Sequence, residues 1–200
     1  DKWLDIQDAN IRQVVDDPYE IVYHTDQPLD GRESSIRNEN NSMGAIITQG
    51  MRYAGPVERT PAAVFNSGGV RLDDQLSGDI QAIDWFRALP FGGEVWEVEI
   101  EGGLLTEVLN IGRKNRGTGG FLQYDGIEFV EVSNSWKYDG QPIQKGTTYS
   151  VAMNDFLLSG LETRLDFLTP DNPGIVKVTK PDSEDPRADI RKAIIQFLKT

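Results

Sequence analysis

Hydrophobic and polar positions alternate most sharply at 96–101, where Trp96, Val98 and Ile100 interleave with Glu97, Glu99 and Glu101. A period of two predicts a strand with one buried and one solvated face. Further strands are expected at 20–23, 62–65, 127–132 and 147–153, with Asp139-Gly140 as a turn between the last two. The run Ala62-Ala63-Val64-Phe65 is apolar throughout, which predicts a buried strand, and it ends in Asn66-Ser67-Gly68-Gly69. Apolar residues at helical spacing predict helices at 8–15, 43–51, 80–86, 104–111 and 186–199. Asp79 is the N-cap candidate for the third of these. In the last, Ile190, Ala193, Ile194 and Phe197 share one face, as in a helix that closes a domain. The polar stretch 26–41 and the glycine-rich 117–120 are expected loops. Strands and helices follow one another without a regular βαβ rhythm, so the fold class is α+β.

Composition narrows what such a fold can do. The 200 residues suit a single domain: a leading segment over 1–25, a core over 26–168 and a closing segment with the C-terminal helix over 169–200. A hydrophobic fraction of 38% with four Trp, eight Phe and six Tyr supports a sizeable core. A net charge of −12 counts against nucleic acid and anionic membranes as partners. A small anionic ligand is compatible with it if a few Arg converge in one cleft. No apolar run approaches the roughly 18 residues of a membrane span. Cysteine is absent, which removes disulfides, thiolate nucleophiles and zinc–thiolate sites. The single histidine, His24, cannot supply the several imidazole and carboxylate ligands of a two-metal hydrolytic centre. It is expected at the surface or on a strand edge, and no catalytic residue or metal ligand is assigned in the chain.

Candidate chemistry lies in the turns. Glycines after a strand let backbone N–H groups approach an anion, and Asn66-Ser67-Gly68-Gly69-Val70-Arg71 has that character with an arginine just beyond. Arg37 stands ahead of the helix at 43–51, and two arginines on separate loops can clamp phosphate oxygens. Phe91, in Pro90-Phe91-Gly92, and Phe156, in Asn154-Asp155-Phe156, are aromatic residues in turn-like settings. Core packing is the default for any Phe, but a pair facing across a cleft could sandwich a flat base.

Five segments in order carry a family resemblance: Leu29-Asp30-Gly31-Arg32 through Arg37 to Met43-Gly44; Val64 to Arg71; Leu89-Pro90-Phe91-Gly92-Gly93; Gly120-Phe121-Leu122-Gln123; and Tyr149 through Phe156 to Gly160. Together they resemble the C-terminal domain of the 5′-nucleotidase family of nucleotidases, UDP-sugar hydrolases and 2′,3′-cyclic nucleotide phosphodiesterases. That resemblance implies a layered domain with a mixed sheet. It also implies a separate N-terminal metallophosphatase domain, in the same full-length protein, that carries two divalent metals and the catalytic histidine. This chain would then hold the nucleotide, be inactive by itself, and act in the periplasm or outside the cell.

The same resemblance implies roles for individual residues. Phe91 and Phe156 would stack on the base, and Arg37 and Arg71 would contact phosphate. Asn66 would lie near the base, with Gly68 and Gly69 lining the pocket. Where the family has Gly-Gly-Asp-Gly to hold the ribose, this chain reads Gly160-Leu161-Glu162-Thr163, so Glu162 is the carboxylate at that place. Leu161 and Thr163 cannot take positive φ cheaply, which puts the ribose contact in doubt. Asn40-Asn41 and Ala45 also depart from the family pattern, and altered substrate preference is expected. The alternative is a noncatalytic structural or dimerising module whose nucleotide site has degenerated.

Overall fold

Residues of the strand Ala62–Asn66 alternate between two hydrophobic clusters, Ala63 and Phe65 in one, Ala62 and Val64 in the other. Both faces of the strand are therefore covered, which is why its sequence reads as an unbroken apolar run. The computed structural model describes residues 11–53 and 60–200. In chain order these form β1 (Ile21–Asp30), α1 (Glu33–Ile36), α2 (Ser42–Tyr53), β2 (Ala62–Asn66), β3 (Gln75–Gln81), α3 (Ala82–Ala88), β4 (Val95–Glu101) and α4 (Gly102–Lys114). They continue as β5 (Leu122–Asp125), β6 (Ile127–Val130), β7 (Ser135–Tyr138), β8 (Gln141–Pro142), β9 (Thr148–Asn154), β10 (Ile175–Thr179) and α5 (Ile190–Leu198).

The central sheet has the order β10-β4-β9-β2-β5. Only the β2–β9 pair in it is parallel, so the sheet is mixed and the α+β expectation holds. On one face lie α2, α3, α5 and the β1–β3 ribbon, packed through Ile47, Trp85, Ile80 and Ile194. The other face is covered by α4 and by the turns after β9, through Leu105, Leu109, Leu157 and Leu168, with Trp136 of the β6-β7-β8 meander. Among the described residues no helix is long and apolar enough to cross a membrane.

Several boundaries differ from the sequence expectations, each for a local reason. The first three residues of the helix expected over 8–15 lie outside the described residues; in the remainder, the N–H groups of Val14 and Val15 both donate to the Ile11 carbonyl. β1 runs on to Asp30, into the expected loop, because Leu29 returns inward at 5% exposure and holds the strand against the core. Ile80 and Gln81 end a strand rather than begin a helix. Asp79 therefore caps nothing: it stands opposite His24 in the ribbon and bonds its Nδ1 at 2.6 Å. The cap of α3 is Gln81, whose N–H is accepted by Asp84 at 2.9 Å. Val132 leaves the strand pattern because Asn134, in the left-handed region at φ 47°, reverses the chain into β7. β3, β5, β7, β8 and β10 have no counterpart among the expected strands. At the C-terminus, Pro186–Ala188 form a separate turn, and Asp189 caps α5 by accepting the Arg191 N–H at 2.9 Å.

Candidate functional site

Strand direction assembles the site. β2 and β9 run parallel and adjacent, Val64 beside Met153, so Asn66 and Asn154 emerge together at their carboxyl ends. β4 runs antiparallel to β9 with Val95 opposite Asn154, which returns the turn that carries Phe91 to the same edge. Ligands in such sheets gather where strand ends leave room between diverging connections. Here they enclose a cavity of about 510 Å³, within the roughly 300–1,000 Å³ of small-molecule sites.

Its polar floor is a chain of side chains. The Asn154 amide donates to Asn66 Oδ1 at 3.0 Å, and the Asn66 amide donates to Glu162 Oε2 at 2.8 Å. The other carboxylate oxygen accepts the Thr163 N–H at 2.7 Å. A carboxylate only accepts, so it fixes the orientation of Asn66, and Asn66 in turn fixes Asn154. All three residues are buried.

Gly68 and Gly69 form the 3₁₀ turn after β2. The Gly68 N–H donates to the Gly119 carbonyl at 2.7 Å, and a Cβ on Gly68 would stand 3.0 Å from the Gly119 Cα. Two glycine turns thus cross backbone to backbone at the cavity wall, and the segment expected as a loop at 117–120 is one of them.

The mouth is apolar and cationic. Phe91 is 71% exposed and Phe156 41%, both lining the cavity. The Arg71 guanidinium carbon lies 5.3 Å from the Phe91 ring centroid. Among the described residues Arg71 has no carboxylate within ion-pair distance, and it lines the cavity together with the carboxylates of Asp155 and Glu162.

Asn66, Gly68, Gly69, Arg71, Phe91, Phe156 and Glu162 all line this one cavity. Arg37 does not. It ends α1, its guanidinium is paired with Glu33 one turn earlier, and its carbonyl accepts the Gly117 N–H at 2.8 Å. Asn40 and Asn41 are also off the wall. Asn40 bonds both the N–H and the carbonyl of Tyr124 on the edge strand β5, and Asn41 Oδ1 accepts the Gly44 N–H at the start of α2. Neither Leu161 nor Thr163 takes a positive φ. Gly160 and Arg164 do, at 71° and 63°, so the loop reaches the cavity without the glycines at those two places. Sequence reading missed Gly119, Asn154 and Asp155 as lining residues; the β2–β9 register that places Asn154 and Asp155, and the crossing with Gly68 that places Gly119, carry no local signature. Among the described residues no group of three or more His, Cys, Asp or Glu side chains could hold a metal ion.

The trifunctional nucleotide phosphoesterase protein YfkN of Bacillus subtilis (strain 168) is 30% identical over 157 residues, 70% of this chain and 11% of that protein. Protein UshA of Escherichia coli (strain K12) is 28% identical over 180 residues, 86% of this chain and 31% of that one. The chain thus spans less than a third of the length of these curated relatives. A crystal structure of a 5′-nucleotidase precursor from Thermus thermophilus superposes with a TM-score of 0.70 at 21% identity, over 96% of this chain and 38% of that one, which shows a shared fold. The family model described as 5′-nucleotidase, C-terminal domain, matches residues 21–168, and with that match across most of its length the chain belongs to this family.

Proposed function

We propose that the chain is the substrate-holding part of a 5′-nucleotidase-type phosphohydrolase and binds a nucleotide or nucleoside phosphate in the cavity between Phe91 and Phe156. One observation carries this reading: two exposed aromatic rings and an arginine that has no ion pair among the described residues line a single cavity. A flat base stacks on the rings, at roughly 1–3 kcal/mol per base. The Arg71 guanidinium, planar and forked, meets the anionic end in a bidentate fashion. Glu162, held down by Asn66 and the Thr163 N–H, accepts from ligand hydroxyl groups through its remaining lone pairs. The names of the relatives, a nucleotide phosphoesterase and 5′-nucleotidases, support the same class of substrate. Hydrolysis is assigned to a metallophosphatase domain elsewhere in the longer protein, which would hold two divalent metals, and the location to the periplasm or the cell exterior.

A second reading, a noncatalytic module, is favoured by one detail. Arg37, the other expected phosphate contact, is spent on Glu33 and stands off the cavity wall. Titration of nucleoside monophosphates by calorimetry separates the two. The first reading expects weak binding by the wild type that falls about fivefold or more in Phe91→Ala and in Phe156→Ala. No binding of any purine or pyrimidine monophosphate at millimolar concentration would leave the second. The 200 residues alone are expected to show no metal-dependent phosphatase turnover; chelator-sensitive hydrolysis by the pure chain would overturn the assignment of chemistry to another domain.

A further inference from the structure

Helix α5 lies beyond the residues that match the family, yet it grips the turn that carries Phe91. The Ile190 N–H at its first turn donates to the Gly93 carbonyl at 2.9 Å. Next to it the Arg191 guanidinium packs against the backbone of Gly92: a Cβ at Gly92 would stand 2.8 Å from Arg191 Nη2. Arg191 is itself fixed from two sides. Asp189 accepts its Nε at 2.9 Å and its Nη2 at 2.5 Å, and its guanidinium carbon lies 4.3 Å from the Phe86 ring centroid. The opposite side of the turn meets the segment that carries Phe156. A Cβ at Gly93 would stand 2.7 Å from Asp155 Oδ1, and the Asp155 N–H donates to the Glu94 carbonyl at 3.0 Å.

The turn needs this grip. Gly92 and Gly93 both sit at positive φ, 61° and 99°, and a Gly-Gly pair has more backbone freedom to lose than any other. Phe91 itself is largely in solvent, so its own packing does little to hold it. Its position at the cavity is set by what presses on the glycines.

We infer that Arg191 is a positioning residue: through its contact with Gly92 it fixes where Phe91 stands relative to Phe156 at the cavity, and so the fit of a flat ring against them. The inference rests on the proposed nucleotide site for its functional meaning, but its structural content can be read without a ligand.

Two measurements test it. The first is a double-mutant cycle of Arg191→Ala and Phe91→Ala, read as the Kd of whichever of adenosine and uridine monophosphate the wild type holds more tightly. Arg191→Ala is expected to weaken binding about fivefold, since it disables one stacking partner. In the Phe91→Ala background it should change Kd by no more than about twofold, because its effect passes through Phe91. A full further loss in that background, or wild-type affinity in Arg191→Ala, would overturn the inference. The second is amide hydrogen exchange of residues 91–94 in the absence of nucleotide, expected to speed up in Arg191→Ala. Unchanged exchange there overturns the inference even if the wild type binds no nucleotide, an outcome that would remove the proposed function instead.

Discussion

Asn66 is the residue on which the cavity floor turns. Its amide reaches both Asn154 and Glu162, neither of which is near it in sequence. Truncation in Asn66→Ala leaves a buried carboxylate with one donor fewer and a buried amide without its acceptor. Leaving such groups unsatisfied costs about 1–3 kcal/mol, which urea denaturation should register as a lowered midpoint at unchanged slope. The position of Asn66 was legible from its place at the end of an apolar run. Its partners were not, because a hydrogen bond between residues so far apart in the chain leaves no spacing in the sequence to read. Arg71 and Arg37 make the same point in reverse. As sequence, both are arginines beside polar turns; in the fold one faces the cavity and the other is held by Glu33. Arg37 lies on an element that does not reach the cavity, and Glu33 one helical turn upstream pairs with it there.

At the scale of elements, the β1–β3 ribbon illustrates how strand register overrides local signals. Ser77-Gly78-Asp79 ahead of an apolar run reads as a helix cap, yet the pairing of His24 with Asp79 draws that aspartate across the ribbon. The hydrogen bond to Asp79 is the main cause that raises the His24 pKa above its ordinary 6.5; desolvation opposes it, and smaller attractions from the Asp79 and Asp26 charges add to it. A raised folded-state pKa means that the folded chain binds the proton more tightly than the unfolded one. The contribution to stability is therefore complete below 6.5 and is lost as pH rises through the raised value. Because His24 is the only histidine, its ring resonances report alone. NMR titration should place its pKa above 6.5 in the wild type and lower in Asp79→Asn; equal values in the two would remove the pairing as the cause. The crossing of Gly68 with Gly119 belongs to this scale too, since two turns far apart in the chain each require the other to lack a side chain.

Across the whole molecule, one sheet separates two cores. Ile47 of α2 belongs to the first cluster and Leu105 of α4 to the second, both fully buried. Ile47→Val should cost about 0.5–1.5 kcal/mol and Leu105→Ala about 2–5 kcal/mol. Since the sheet keeps the two sites from sharing partners, the double variant should equal their sum to within about 0.5 kcal/mol in denaturant titrations. Strong coupling would mean that the two layers pack as one. The sequence by itself determined the apolar faces, the glycine turns, the aromatic pair at Phe91 and Phe156 and the absence of cysteine, because periodicity, backbone freedom and composition are properties of short stretches. Family membership was legible for the same reason, through short segments in a fixed order. Only the tertiary structure decided that β2 and β9 run in parallel, that their ends share a cavity with the turn before β4, that Arg37 stands apart from it, and that the closing helix grips the turn of Phe91. Those outcomes depend on register and on contacts between residues distant in the chain, where the free energy is set by who meets whom.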